Sequence, residues 1–188
     1  MDKKIDLRVI KTYNKLTVAF GEMMKTVPFD DITVFDLCDK AEVRRATFYK
    51  HFSDKYDFFK SIINIILTNI ERKVLLRTKQ SSTTEYVMLF VKEIIAYLDE
   101  RPEILANILD SNAFPVMFDI ITHCTHESLT KHLEDEIAEG AVFATDADTF
   151  SSFINGGIAT ILIAWLKRRN ITEEELIKKI DAILKKTF

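Results

Sequence analysis

Glycine and proline are scarce in this chain, at 4 and 3 among 188 residues. So few breakers, alongside abundant Ile, Leu, Lys and Glu, favour an all-helical fold. Cysteine is equally sparse. Cys38 and Cys124 lie far apart and form no metal-ligand spacing, so a disulfide framework is excluded and a reduced, cytoplasmic protein is expected. Long apolar runs are missing. The longest, Ile158 to Leu166, falls short of the roughly 20 residues a membrane span needs. The opening residues Met1 to Arg8 interleave charges without an apolar core, so neither a signal peptide nor a membrane partner is expected. There is no nucleophile elbow, phosphate loop, metal motif or paired-carboxylate arrangement, so an enzyme is not expected, nor a cofactor. His123-Cys124-Thr125-His126 sets two imidazoles at i, i+3 with Glu127 adjacent, a spacing that can hold zinc. No third ligand group accompanies them, and the pattern reads as polar positions lining a pocket or facing water. No metal is assigned.

What is present is apolar periodicity. Val9, Tyr13, Leu16, Phe20 and Met23 step by four and three along one face, and Val87, Val91, Ile94 and Leu98 form a second stripe. Helices are predicted at 5–25, 33–40, 44–51, 54–76, 84–99, 102–110, 115–138, 146–169 and 173–186, with 77–83 the most linker-like stretch. A capping signature, a hydroxyl followed three residues later by an acid, opens several of them: Thr33/Asp36, Ser82/Glu85, Thr145/Asp148 and Thr172/Glu175.

Residues 33–55 concentrate the chemistry. Two short helices joined by a tight turn give the layout of a helix-turn-helix. Val34, Leu37, Cys38, Ala41, Val43, Ala46, Phe48 and Phe52 are the expected inward positions. Arg44, Arg45, Thr47, Tyr49, Lys50 and His51 remain on the second helix as donors for phosphates and base edges. Lys55 suits a phosphate, and Thr33 sits at a helix N-terminus where amides favour one. Charge distribution agrees in sign. Residues 1–60 hold 12 Lys and Arg against 10 Asp and Glu, and the remainder 14 against 19, for a net charge of -3. A mildly basic head on an acidic body suits a double-stranded DNA partner.

The run from Thr33 to Lys55, most clearly Thr47-Phe48-Tyr49, His51-Phe52 and Lys55, resembles the signature of the TetR/AcrR transcriptional regulators. Residues 153–169 resemble a C-terminal type found in Firmicute members, including dihydroxyacetone-kinase operon regulators. The resemblance implies an all-α subunit with a three-helix DNA-binding head, taken here as residues 1–53. It also implies a helical effector-binding and dimerisation domain, taken as 54–188. By implication the chain is a homodimer on a near-palindromic operator, acting as a repressor modulated by an unknown small-molecule effector. Met88, Tyr97, Phe114, Phe118 and His123 are the candidate pocket residues, and Phe153, Gly156, Gly157, Ile161, Trp165 and Ile180 the candidate dimer surface. Two positions depart from the family pattern. Glu42 replaces the usual turn glycine, and Arg44 stands where a capping Ser or Thr is common. At positive φ a non-glycine residue costs on the order of 1 kcal/mol. The departures keep an alternative open: an adaptor or coactivator that retains the head but acts through a protein partner.

Overall fold

The computed structural model describes residues 7–77 and 82–187. The helices, with one 3-10 turn at Phe29–Asp31, are α1 (Leu7–Met24), α2 (Val34–Lys40), α3 (Arg45–Tyr49), α4 (Lys55–Arg77), α5 (Thr83–Asp99), α6 (Pro102–Leu109), α7 (Ala113–Ala138), α8 (Ala147–Arg168) and α9 (Glu173–Thr187). Among the described residues there is no strand. The expected linker falls largely on residues 78–81, outside the described ones.

Capping side chains set most helix starts. Thr33 Oγ1 accepts from the Asp36 amide, and Ser82 Oγ from that of Glu85. Thr172 and Glu175 complete a reciprocal box, each side chain accepting from the other's backbone amide at 3.2 and 3.0 Å. At α8 the cap is Asp146, one residue later than predicted. Its carboxylate accepts from the Thr149 amide and hydroxyl, which holds its pKa below the usual carboxylate value. Three described residues with positive φ sit just past helix ends: Glu42 (52°), Gly140 (106°) and Arg169 (45°). Each occupies the left-handed position that closes a helix C-terminus.

Two compact units emerge. The first holds residues 1–63 with 101–117, the second 64–100 with 118–188. The first is built on rings. Phe58 is fully buried, with the rings of Tyr13, Phe20, Phe48 and Phe52 centred 4.9 to 5.9 Å away. Phe29 lies against Phe59 at 5.2 Å. Val9, expected on the inward face of α1, is exposed.

The segment 101–117 joins this unit through a side chain that the sequence reading did not single out. Asn107 on α6 accepts from the Phe29 amide at 2.7 Å. It donates to the carbonyls of Met24 and Val27 at 2.9 and 2.6 Å. Those carbonyls lie where α1 ends and have no helical partner of their own. Asp30 adds a second tie, accepting from the backbone and side-chain amides of Asn112.

The second unit packs Val87, Val91 and Ile95 of α5, Leu129 and Leu133 of α7, Ile154 and Trp165 of α8, and Leu176, Ile180 and Leu184 of α9 into one core.

Replacing Asn107 by Ala removes three hydrogen bonds at once and leaves partly buried backbone groups unpaired. The expected loss is about 1–3 kcal/mol. A thermal melt of Asn107→Ala against wild type checks it, and an unchanged midpoint would show that water replaces the amide.

Candidate functional site

α3 has five residues, too few to persist as a helix on its own. Its position comes from either end. Before it, α2 closes with the Val43 amide donating to the Cys38 carbonyl and the Glu42 amide to that of Asp39. That is a Schellman closure with Glu42 in the left-handed place where glycine is usual. The Glu42 carboxylate reaches back to Lys15 of α1 at 3.3 Å, an exposed pair. Behind α3, Phe48 is fully buried and Phe52 half-buried among the rings around Phe58. Arg44 precedes the helix in extended conformation with no side-chain cap, as the departure from Ser or Thr implied.

Anchoring Phe48 and Phe52 turns the opposite face outward. Arg44, Arg45, Tyr49, Lys50 and His51 are exposed and Thr47 is half-buried. Ala46, expected inward, is exposed with them, because in so short a helix Phe48 alone fills the inward position. Thr33 is exposed, and its hydroxyl is engaged with both the amide and the carboxylate of Asp36. Phe35 was not predicted. It is 59% exposed on α2, and the Arg45 guanidinium lies over its ring at 5.4 Å from the centroid. Such a shelf restricts the Arg45 head group while leaving its five donors free to recognise a planar partner. The signal available in sequence was a phenylalanine on α2 outside the inward set of Val34, Leu37, Cys38 and Ala41.

Lys55 requires a correction. Its ammonium donates to the carbonyls of Phe29, Asp30 and Ile32 at 2.9, 2.8 and 3.0 Å, and it lies 4.9 Å from the Phe29 ring centroid. An ammonium has three N–H bonds, and all three are used. Lys55 closes the 3-10 turn before α2 and is not free for a phosphate.

Residues 21–62 match the sequence pattern of bacterial regulatory proteins of the tetR family. Residues 85–186 match that of a TetR-type transcriptional regulator C-terminal region. The chain belongs to the TetR family of transcriptional regulators. Its family and fold are those of DNA-binding regulators, not enzymes. Over 63 residues it is 35% identical to YxbF, an uncharacterised HTH-type transcriptional regulator of Bacillus subtilis (strain 168). The matched stretch is 33% of this chain and spans only 17% of YxbF. A TetR-family regulator structure from Syntrophomonas wolfei superposes with a TM-score of 0.74 at 15% identity, over 94% of each chain. The dihydroxyacetone kinase operon activator DhaS does so with a TM-score of 0.61 at 21% identity, over 93% of this chain and 94% of DhaS. At these identities the likeness concerns the fold.

The second unit of this TetR-family chain contains a cavity of ≈60 Å³ between α5, α7 and α8. Val87, Phe90, Ile121, Leu129, Ile154 and Ile158 supply much of its wall, and Thr125 and Asn155 its polar points. None of the five predicted pocket residues lines it. Met88 is buried but borders a groove between α5 and α9, because one residue along a helix turns the side chain by about 100° from Val87, which faces the cavity. Tyr97 is half-buried, packed against the core of this unit. Phe114 is half-buried in the first unit, Phe118 is exposed, and His123 is exposed with its imidazole 3.5 Å from Glu127. His126 sits 3.1 Å from the Ser152 hydroxyl. Among the described residues no three His, Cys, Asp or Glu side chains cluster as a metal site.

The predicted dimer residues divide. Phe153, Gly156 and Gly157 are exposed on α8, Phe153 at 70%, and Ile161 is half-buried against the chain's own core. Trp165 and Ile180 are buried inside the chain and are withdrawn as interface residues. Trp165 Nε1 donates to the Ile171 carbonyl at 2.9 Å, and the Arg169 guanidinium covers its ring at 4.0 Å. Ile180 faces inward because α9 packs on α5.

Lys55→Met keeps most of the apolar stem and deletes the three charge-assisted bonds. An expected loss of about 2 kcal/mol follows for groups so paired. Urea unfolding followed by circular dichroism measures it, and a neutral result would mean that the clamp holds nothing.

Proposed function

We propose that this chain is a homodimeric repressor that binds a near-palindromic operator through α3 and releases it in response to a small molecule. The observation that carries the reading is the outward face of α3, where Arg44, Arg45, Tyr49, Lys50 and His51 stand together on a helix anchored by Phe48. Arg45 on its Phe35 shelf suits bidentate recognition of guanine, while Lys50 and Tyr49 suit phosphates. A dimer is supported by α8, an apolar helix of 22 residues with only 28% of its most apolar window buried. A side-chain atom added at Gly156 or Gly157 would meet nothing within 4 Å, so the face is open to close approach by a second copy. An apolar face left open in this way is better served by an isologous partner helix than by water or lipid.

The effector would act through the body cavity. α4 and α7 each begin in one compact unit and end in the other, so either can carry a repacking of the body toward the head. Coupling requires the effector to bind one state better than the other. Equal ligand affinity for free and operator-bound protein would end this part of the reading. Glu42 favours a second reading, an adaptor acting with a protein partner, because its carboxylate sits 83% exposed on the turn before α3.

Fluorescence anisotropy with duplex from the gene's own upstream region tests operator binding. Arg45→Ala should weaken specific binding by about 1–3 kcal/mol and Lys50→Ala should lower the salt slope by about one. Lys55→Met should leave that slope unchanged. Failure on every duplex, with binding restored by a second protein, would replace the repressor by the adaptor. For the dimer, light scattering should give twice the 21.8 kDa chain mass, and Phe153→Glu should return it toward the monomer. A wild-type monomer at micromolar concentration would sink the proposed interface.

A further inference from the structure

We infer that the body cavity takes an uncharged and mainly apolar small molecule that presents a single hydrogen-bonding group to Asn155. The inference deepens the effector reading and rests on it only for the consequence at the operator. No side chain lining the cavity carries a charge. The polar points are a coupled pair. Asn155 Nδ2 donates to the Thr122 carbonyl at 2.7 Å, and Asn155 Oδ1 lies 2.7 Å from the Thr125 hydroxyl, whose single proton it shares with the Ile121 carbonyl, also at 2.7 Å. A carboxamide has two N–H bonds and two lone pairs on its oxygen, so by count one of each remains for a ligand. A hydroxyl, ether, ketone or amide would fit that pair of sites.

The surroundings disfavour ions of either sign. The lining Tyr86 spends its hydroxyl proton on Ser128, whose own hydroxyl donates to Glu71. This relay ends on a carboxylate, which repels an anion and offers the cavity no cation. Burial pushes the Tyr86 phenol upward, so it stays protonated. The His132 ring, stacked on Tyr86 at 4.2 Å, is pushed downward by burial and stays neutral. A carboxylate or ammonium placed against Asn155 would lose hydration and meet no counter-charge on the lining. The cavity is partly open, so the apolar tail of such a ligand can extend beyond the ≈60 Å³ interior.

Calorimetric titration of the full chain with 1-hexanol, sodium hexanoate and hexylammonium chloride separates the cases, since the three share one six-carbon chain. The expected result is 1-hexanol binding at least tenfold more tightly than either ion. Asn155→Leu should weaken 1-hexanol severalfold, and Ala159→Phe, which fills the cavity from α8, should abolish its binding while the melt stays cooperative. Should Ala159→Phe not fold, Asn155→Leu carries the test. Equal or tighter binding of an ion, no binding of any of the three, or 1-hexanol binding untouched by both variants would each overturn the inference. Operator anisotropy with and without 1-hexanol keeps the two readings apart. Binding of 1-hexanol alone without any change in operator affinity supports the ligand class and overturns the effector role.

Discussion

The ring of Phe58 is the constraint on which the first compact unit depends. It is fully buried, and rings from α1, from α3 and from the turn after α3 close around it at edge and tilted angles. Such contacts are directional, and they tell each element where to stand as well as how deep. A helix of five residues has almost no stability of its own, so the orientation of its polar face is inherited from Phe48 and Phe52. The same packing leaves Arg45 next to Phe35, which turns an exposed apolar ring into a guide for a flexible cation.

Around that aromatic centre the backbone is closed by polar groups with no freedom to do anything else. Lys55 saturates one turn, Asn107 the end of α1, and Asp30 the start of the segment around Asn112. The body follows the opposite rule. Burial shifts Tyr86 upward and His132 downward, each toward its neutral form, and the hydrogen bonds from Tyr86 run through Ser128 to Glu71. A face of exposed cations on α3 and a cavity lined without charge in the second unit are surfaces of opposite chemistry.

Much of this was legible in the residue order, and the remainder was not for identifiable reasons. Thr33, Ser82 and Thr172 announce helix starts because capping is a local interaction between neighbours. Asp146 took the place of Thr145 because two capping residues stood side by side and a carboxylate accepts more strongly from amides. The left-handed conformation at Glu42 followed from the family pattern, where glycine stands. Lys55 was misjudged because a basic residue near a helix-turn-helix reads as a phosphate contact, and the carbonyls it meets lie 23 to 26 positions earlier. Trp165 and Ile180 look like interface residues in a periodic pattern, since periodicity marks an apolar face without saying whose core that face enters. The residues lining the cavity were missed for a related reason. Which of two adjacent residues, Val87 or Met88, lines it depends on where α8 and α9 lie, and nothing in α5 records that.

The ties between Asn107, Asn112 and the 24–30 region carry a consequence for how such proteins diversify. The head is discontinuous in the chain, since residues 101–117 belong to the same compact unit as residues 1–63. A recombination event that joined this N-terminal reader to a foreign sensor at residue 63 would strip the reader of its amide clamp. Productive shuffling must therefore exchange two segments in register, or recruit an incoming chain that already offers an asparagine at the matching turn. Swaps between distant relatives would be filtered at the level of folding, before any question of ligand or operator arises.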